Sequence, residues 1–145
     1  MHLQKTPTKM YYCVTHPDAK IRFFASEMIL QVHSDASYMN DTKACSTASG
    51  HYFLRNNIKY GKPIVLNGAI HTLCKIIGVA ASASEAELGI LFLNTQETVK
   101  LHIALQELGH TQPPTLIHTR NTTATGIIHK TIKRQQSRAM NMRYF

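Results

Sequence analysis

Residues 29–38 read Ile-Leu-Gln-Val-His-Ser-Asp-Ala-Ser-Tyr, and the interpretation of the whole chain starts from this stretch. Apolar and polar residues alternate in it with the two-residue period of a half-buried β-strand. The apolar face carries Leu30, Val32, Ala36 and Tyr38, and the polar face carries Gln31, His33, Asp35 and Ser37. A carboxylate within a sheet is costly to desolvate unless a cation or hydrogen-bond donors meet it. Asp35 therefore indicates either a metal ligand or a residue that caps the following turn.

The segments next to this strand predict a meander of three antiparallel strands. Residues 40–43 are polar turn material, and a second strand is predicted from Ser46 to Arg55. Asn67-Gly68 then predicts a small hairpin that leads into a third strand from His71 to Ile77. Short connections between consecutive strands favour antiparallel pairing.

The pattern changes to a helical period from about Ser84 to Leu108. An apolar stripe at this period consists of Leu88, Leu91, Phe92, Val99 and Ile103. Two capping boxes fit the start of the helix, one from Ser82 with Glu85 and one from Ser84 with Glu87. Both alternatives place a Glu in the first turns of the longest element of the chain.

A second strand and helix follow the long helix. Thr115 to His118 predicts a short buried strand, and Thr122 to Ile132 predicts an amphipathic helix that begins after Asn121. The predicted order is β-β-β-α-β-α. We therefore expect an α/β fold with a mixed sheet, in which three antiparallel strands precede alternating helix and strand.

Length and composition are typical of one intracellular domain. A chain of 145 residues suffices for one core, and we expect an irregular lead-in over residues 1–28 before a domain over residues 29–145. The three cysteines are widely spaced, which favours a reducing compartment over a disulfide framework. No apolar run is as long as a membrane span, and the N-terminus lacks a secretory signal pattern. We expect a location in the cytoplasm or nucleus, without a membrane partner.

Positive charge is concentrated near the C-terminus. The chain has 16 Lys and Arg against 8 Asp and Glu, a net charge of +8, which favours a polyanionic partner such as nucleic acid. Every acidic residue lies at or before Glu107. The segment beyond it, here called the basic arm, contains Arg120, Lys130, Lys133, Arg134, Arg138 and Arg143. The arm is either a solvated helix face or a surface that contacts phosphates.

Short motifs in a fixed order carry a family resemblance. They are SDASY at residues 34–38, STASGHYF at 46–53, ASEAEL at 83–88 and ATGI at 124–127. Their order and spacing resemble the RNase H domain of copia-type LTR retroelement polyproteins, from about residue 29 onward. The resemblance implies an RNase H-like fold beside a reverse transcriptase. It also implies Mg²⁺-dependent hydrolysis of the RNA strand of an RNA/DNA hybrid.

The same resemblance implies which residues form the site. By position in the motifs, Asp35 on the first strand and Glu87 on the helix are the catalytic Mg²⁺ ligands. Two Mg²⁺ ions about 3.5–4 Å apart need clustered carboxylates, so that one ion activates water and the other stabilises the leaving oxygen. Glu85 is not expected to join them, because residues two apart on a helix point about 200° away from each other. The alternative role for Glu87 is that of capping-box partner of Ser84.

The chain departs from the family pattern after the fourth strand. The family has Asp-Asn there, whereas this chain has Arg120-Asn121. A guanidinium stays charged in proteins, so near Asp35 and Glu87 it would replace a metal ion as the counter-charge and lower the pKa of one of these acids. The family's last acid, with the last strand and helix, is expected beyond Phe145. We therefore expect Mg²⁺ binding to be weak or absent.

The sequence is compatible with three functions. The first is an RNase H-type endonuclease, the second a non-catalytic remnant that binds nucleic acid, and the third a structural domain. The nucleic-acid contacts expected for the first two are Arg120, Lys130, Lys133, Arg134 and Arg138. Arg120 favours the non-catalytic reading, because it reverses the charge at a ligand position.

Four histidines fall in the predicted strands. They are His33, His51, His71 and His118. None has a second ligand at metal-binding spacing, so we expect partly buried strand residues and no zinc site.

Overall fold

The structure of this protein is a computed structural model that describes residues 14–78, 80 and 82–131. Its elements, in chain order, are β1 (Ile29–Ser37), β2 (Thr47–Arg55), β3 (Leu66–Ile76), α1 (Ala83–Glu107), β4 (Leu116–Thr119) and α2 (Thr122–Ile128). A short 3-10 turn, Thr42–Ala44, joins β1 to β2. The predicted order of elements is confirmed for the described residues, and the described residues before β1 contain no strand.

The strands form one mixed sheet in the order β3-β2-β1-β4. β1 pairs antiparallel with β2, and β2 pairs antiparallel with β3. β4 pairs parallel with β1, an arrangement that requires a crossover connection, and α1 supplies it. The strand that carries Asp35 is therefore an inner strand, with β2 on one side and β4 on the other.

The core lies on one side of this sheet, here called the covered face. β1, β2 and α1 contribute the buried residues Leu30, Val32, Tyr52, Leu54 and Leu105. The helices meet β4 in a second cluster of Leu88, Leu91, Ala124 and Ile127, against which Ile117 packs. The alternate strand positions form the opposite side, here called the open face, which includes His33, Asp35, His51, Phe53 and His118. Neither α1 nor α2 packs on the open face, because both contribute to the core on the other side.

The predicted hairpin at Asn67-Gly68 is not formed, because these residues lie inside β3. The Asn67 side chain accepts a hydrogen bond from the Phe24 amide at 2.7 Å and donates one to its carbonyl at 3.1 Å. The Gly68 amide donates to the carbonyl of Arg22 at 3.1 Å, and a Cβ at Gly68 would clash with Ile21. The lead-in therefore runs along β3, and its contacts explain why Asn67 and Gly68 stand in a strand and not in a turn.

α1 confirms the predicted long helix but not all of its apolar stripe. Ser82 is the N-cap and accepts a hydrogen bond from the Glu85 amide at 3.1 Å, and Gly109, with φ of 89°, follows the end of the helix. About half of each of three stripe side chains is exposed, namely Phe92, Val99 and Ile103. The second half of α1 instead buries positions that include Asn94, Thr98 and Leu105.

After α1, β4 is more exposed than predicted and α2 is shorter than predicted. β4 was expected to be buried, but Leu116 and His118 are exposed because β4 is an edge strand without a helix on the open face. α2 begins as predicted, with the Asn121 side chain accepting a hydrogen bond from the Ala124 amide at 2.9 Å. It ends at Ile128. Within the described residues, no helix combines the length and apolar character that a membrane span requires.

Candidate functional site

Glu87 reaches from the beginning of α1 to the sheet. Its Oε1 accepts a hydrogen bond from the Ala36 amide at 3.2 Å, and its Oε2 accepts one from the Thr119 hydroxyl at 3.3 Å. β4 ends at Thr119, so Glu87 meets β1 just beyond the last residue pair of the two parallel strands. Since Ser82 caps the helix, Glu87 is not the capping partner of Ser84.

Burial dominates the electrostatics of this carboxyl group. The side chain of Glu87 is buried, and this desolvation raises its pKa. The hydrogen bonds from Ala36 and Thr119 act in the opposite direction, and the charge of Asp35 raises the pKa further. Glu87 is therefore a partly desolvated acid held close to a second acid.

Asp35 occupies β1 at the residue before Ala36. It pairs with Ser49 of β2, whose hydroxyl donates to the Asp35 carbonyl at 3.0 Å. The strand pairing continues to Ser37, so Asp35 lies inside the strand and does not cap the turn. Its side chain is exposed on the open face. Glu87 thus contacts the backbone of β1 at the residue that follows Asp35, and the direct approach of the two carboxyl groups stays a prediction.

Arg120 lies one residue beyond β4, next to this pair in the register. Because Ser34 pairs with Thr119, the following residues of the two chain segments are Asp35 and Arg120. The Arg120 side chain is exposed, and among the described residues it forms no ion pair with Asp35 or Glu87. The cation therefore stands beside the acids without neutralising either one directly.

The charge of Arg120 acts on a histidine instead. Burial lowers the pKa of His33, and the charges of His118, His51 and Arg120 lower it further. The expected lowering of an acid's pKa by Arg120 is wrong for Glu87, because burial raises the pKa of that group. An exposed guanidinium is screened by water, so its effect on a buried carboxyl is smaller than that of burial.

These residues do not fit a site for two Mg²⁺ ions. Asp35 and Glu87 are the two carboxylates that meet at β1, and both oxygens of Glu87 already accept hydrogen bonds. Residues 14–78, 80 and 82–131 contain no group of three or more His, Cys, Asp or Glu side chains able to hold a metal ion. Mg²⁺ sites of this kind take several oxygen ligands, so the donor set described here is incomplete.

A cluster of rings on the open face was missed by the sequence reasoning. His33 on β1 pairs with His51 on β2 and with His118 on β4, which puts three imidazoles in one row across three strands. The ring centroids of His33 and His118 are 5.3 Å apart. Phe53 lies 5.1 Å from His33 and 6.3 Å from His51. These four residues are here called the ring cluster.

The expected partial burial holds for only some of the strand histidines. His33 is partly buried, but His51 and His118 are exposed because no described helix covers the open face. His71 is partly buried on the other side of the sheet, where its ring lies 5.0 Å from that of Tyr52. The alternation of residues 29–38 indicates which face each β1 residue occupies, but only the register shows that the rings are neighbours.

The basic arm is described only at its beginning. Arg120 and Lys130 are exposed. The other nucleic-acid contacts expected from the sequence lie outside the described residues, namely Lys133, Arg134 and Arg138. Because Arg120 and Lys130 are exposed, both cations are accessible to a polyanion.

Comparisons with known proteins add no relative to this description. No protein-family model matches the chain, and neither a curated protein nor a solved structure does.

Proposed function

We propose that this chain is an RNase H-like domain of the copia retroelement type that binds RNA/DNA hybrids without cleaving them efficiently. The observation that carries the proposal is the hydrogen bond from the Ala36 amide to Glu87, beside Asp35, at the point where β4 gives way to Arg120. The resemblance implies acids at the positions of Asp35 and Glu87. It also implies an acid where Arg120 stands.

The sheet topology supports the same assignment. α1 crosses over between β3 and β4, and β4 lies parallel to β1. Asp35 and Glu87 therefore meet close to the carboxyl ends of two parallel strands, where α/β proteins commonly bind their ligands. A mixed sheet in the order β3-β2-β1-β4 is compatible with an RNase H-like fold.

Charge explains why cleavage is expected to be poor. Two carboxylates and one guanidinium sum to about −1, whereas two Mg²⁺ ions usually need several carboxylates in addition to the substrate phosphate. Asp35 and Glu87 are too few oxygen ligands to fill the role of a two-Mg²⁺ site on their own. Arg120 opposes that role, because its charge repels a cation at the position of the absent ligand.

Binding of the hybrid does not depend on the missing acid. The net charge is +8, and Arg120 and Lys130 are exposed at the start of the basic arm. Lys and Arg that neutralise phosphates release counterions, so the affinity falls as salt rises. We therefore expect salt-dependent binding of an RNA/DNA hybrid in the absence of efficient hydrolysis.

The test is a labelled RNA/DNA hybrid incubated with the protein and Mg²⁺. We expect binding that weakens with salt and little cleavage. Arg120→Asp supplies a third carboxylate and should tighten Mg²⁺ binding by about tenfold or more, as measured by titration calorimetry. Arg120→Gln is the matched control, because it removes the cation without adding an acid.

Two results would contradict the proposal. Rapid cleavage by the unchanged protein would show that the site is competent despite Arg120. Absence of salt-dependent binding to the hybrid would remove nucleic acid as the partner.

A further inference from the structure

The ring cluster is a contiguous aromatic surface outside the core. His51 and His118 are exposed, and His33 and Phe53 are partly exposed. The centroid distances of 5.1 to 6.3 Å join all four rings into one patch across β2, β1 and β4. Single exposed apolar residues are ordinary, but a contiguous patch of rings on a part of the open face that no described helix covers indicates a binding surface. Elsewhere on the same face, Gln31 and Arg55 are buried.

Packing does not account for this patch. The core of the sheet lies on the covered face, where Leu30, Val32 and Tyr52 are fully buried. The ring cluster makes no contribution to that core, since its side chains project from the alternate strand positions. Three of its four rings are imidazoles. Gln31 contacts Nε2 of His33 at 3.2 Å, but an aliphatic protein partner would offer no hydrogen bonds to the exposed rings of His51 and His118.

Nucleobases match the shape and chemistry of the patch. Bases stack on aromatic side chains whatever their sequence, and imidazole nitrogens can also hydrogen-bond to base edges. The bases of a duplex are hidden from a flat surface of this kind, so the ligand must present unpaired bases. A single strand fulfils this condition, whereas a fully paired hybrid does not.

The surrounding charge is compatible with a polyanion. Arg120 lies close enough to the patch for its charge to act on His33. Asp35 is on the same face two residues from His33, and Arg120 comes opposite Asp35 if the register of β1 and β4 is continued by one residue. The chain as a whole carries a net charge of +8.

We propose that the ring cluster of His33, His51, Phe53 and His118 is a stacking surface for the unpaired bases of single-stranded nucleic acid, with Arg120 contacting a flanking phosphate. The inference rests on the proposed function only in taking nucleic acid as the ligand. It concerns the open face of the sheet, whereas Glu87 approaches from the covered face.

The experiment compares two labelled DNA single strands of equal length by fluorescence anisotropy at fixed salt. One has a mixed sequence, and the other consists of abasic nucleotides, which keep the phosphates and lack the bases. We expect the normal strand to bind at least about fivefold more tightly, since stacking needs bases and phosphate contacts do not. Equal affinities would overturn the proposal.

Variants locate the effect on the patch. Phe53→Leu should weaken binding of the normal strand by about fivefold or more and leave the abasic strand unchanged, and Phe53→Tyr should retain most of the affinity. Phe92→Leu on α1 is the matched control, because Phe92 is also exposed and lies away from the open face. His118→Ala, at an exposed position, repeats the test if Phe53→Leu fails to fold.

The outcomes separate this inference from the proposed function. Salt-dependent binding of a hybrid without discrimination between normal and abasic strands overturns the stacking surface alone. Ring-dependent binding of the single strand without hybrid binding supports the stacking surface and contradicts the proposed function. If no nucleic acid binds, both the stacking surface and the proposed function are overturned. This is the result expected if the ring cluster instead binds a protein through Phe53.

Discussion

The two faces of the sheet differ in what their side chains contact, although the same strands form both. On the covered face, Leu30 and Val32 of β1 are fully buried under α1, and their shapes are constrained by close packing. On the open face of the same strand, the side chain of Asp35 is exposed and the ring of His33 lies against that of Phe53. Alternate residues of one strand thus meet different requirements. Those on the covered face must pack in the core, and those on the open face are free to contact a ligand from solvent.

The covered face also contains a buried polar network. Asn94 of α1 donates hydrogen bonds to the Ser34 hydroxyl at 2.9 Å and to the Ser49 carbonyl at 3.2 Å. It accepts one from the Tyr52 hydroxyl at 3.0 Å, and burial raises the pKa of Tyr52 to about 12, so this hydroxyl remains a donor. Gly50 leaves the space that Asn94 occupies. A satisfied network of this kind fixes the position of the helix on the sheet.

The largest difference between the faces is expected in stability. Leu30→Ala removes a fully buried side chain and should lower the free energy of unfolding by about 2–5 kcal/mol. His51→Ala, on the open face, should change it by no more than about 0.5 kcal/mol. Urea denaturation followed by circular dichroism measures both, and equal losses would remove the distinction between the faces.

A smaller loss is expected from Gly50→Ala. The added methyl group would clash with the Asn94 side chain and displace it from Ser34 and Tyr52. We expect a loss of about 1–3 kcal/mol from overpacking and from unpaired polar groups. In an Asn94→Ala background the same change should cost much less, since the clash is gone, and a double-mutant cycle measures this coupling. Additive losses would show that Gly50 is required for another reason.

The smallest effect is expected from Glu87→Gln and depends on pH. The raised pKa of Glu87 means that the folded protein holds this proton more tightly than the unfolded chain. Ionised Glu87 therefore lowers stability at pH values above its pKa in the folded protein. This penalty disappears as the pH falls from that pKa to the lower pKa of the unfolded chain. Glu87→Gln should raise stability by about 1 kcal/mol or less near neutral pH.

The same variant provides its own control at acidic pH. Near pH 4 the gain from Glu87→Gln should shrink, because the native Glu87 is then protonated in the folded state. Thermal melting at the two pH values measures the difference. A variant that is less stable than the native protein at neutral pH alone would show that the hydrogen bonds from Ala36 and Thr119 outweigh burial.

Local sequence patterns determined most of the elements and their ends. The alternation in residues 29–38 correctly places Leu30 and Val32 on the covered face and His33 and Asp35 on the open face, whereas Gln31 on its polar side is buried. Ser82 and Asn121 cap helices whose starts were predicted, because an N-cap bonds to an amide two or three residues further along the chain. Such features depend on close neighbours in sequence, so they can be read without knowledge of the fold.

Only the tertiary structure decided what these elements bring together. Asn67-Gly68 has the composition of a turn, yet contact with the distant lead-in keeps both residues in β3. The row of imidazoles depends on the register of β2 and β4 against β1. Glu87 meets Ala36 because the last residue pair of β4 with β1 is at Ser34, two residues earlier. Strand order and register are pairings between remote segments. Their free energy comes from burial and hydrogen bonds that no local pattern contains.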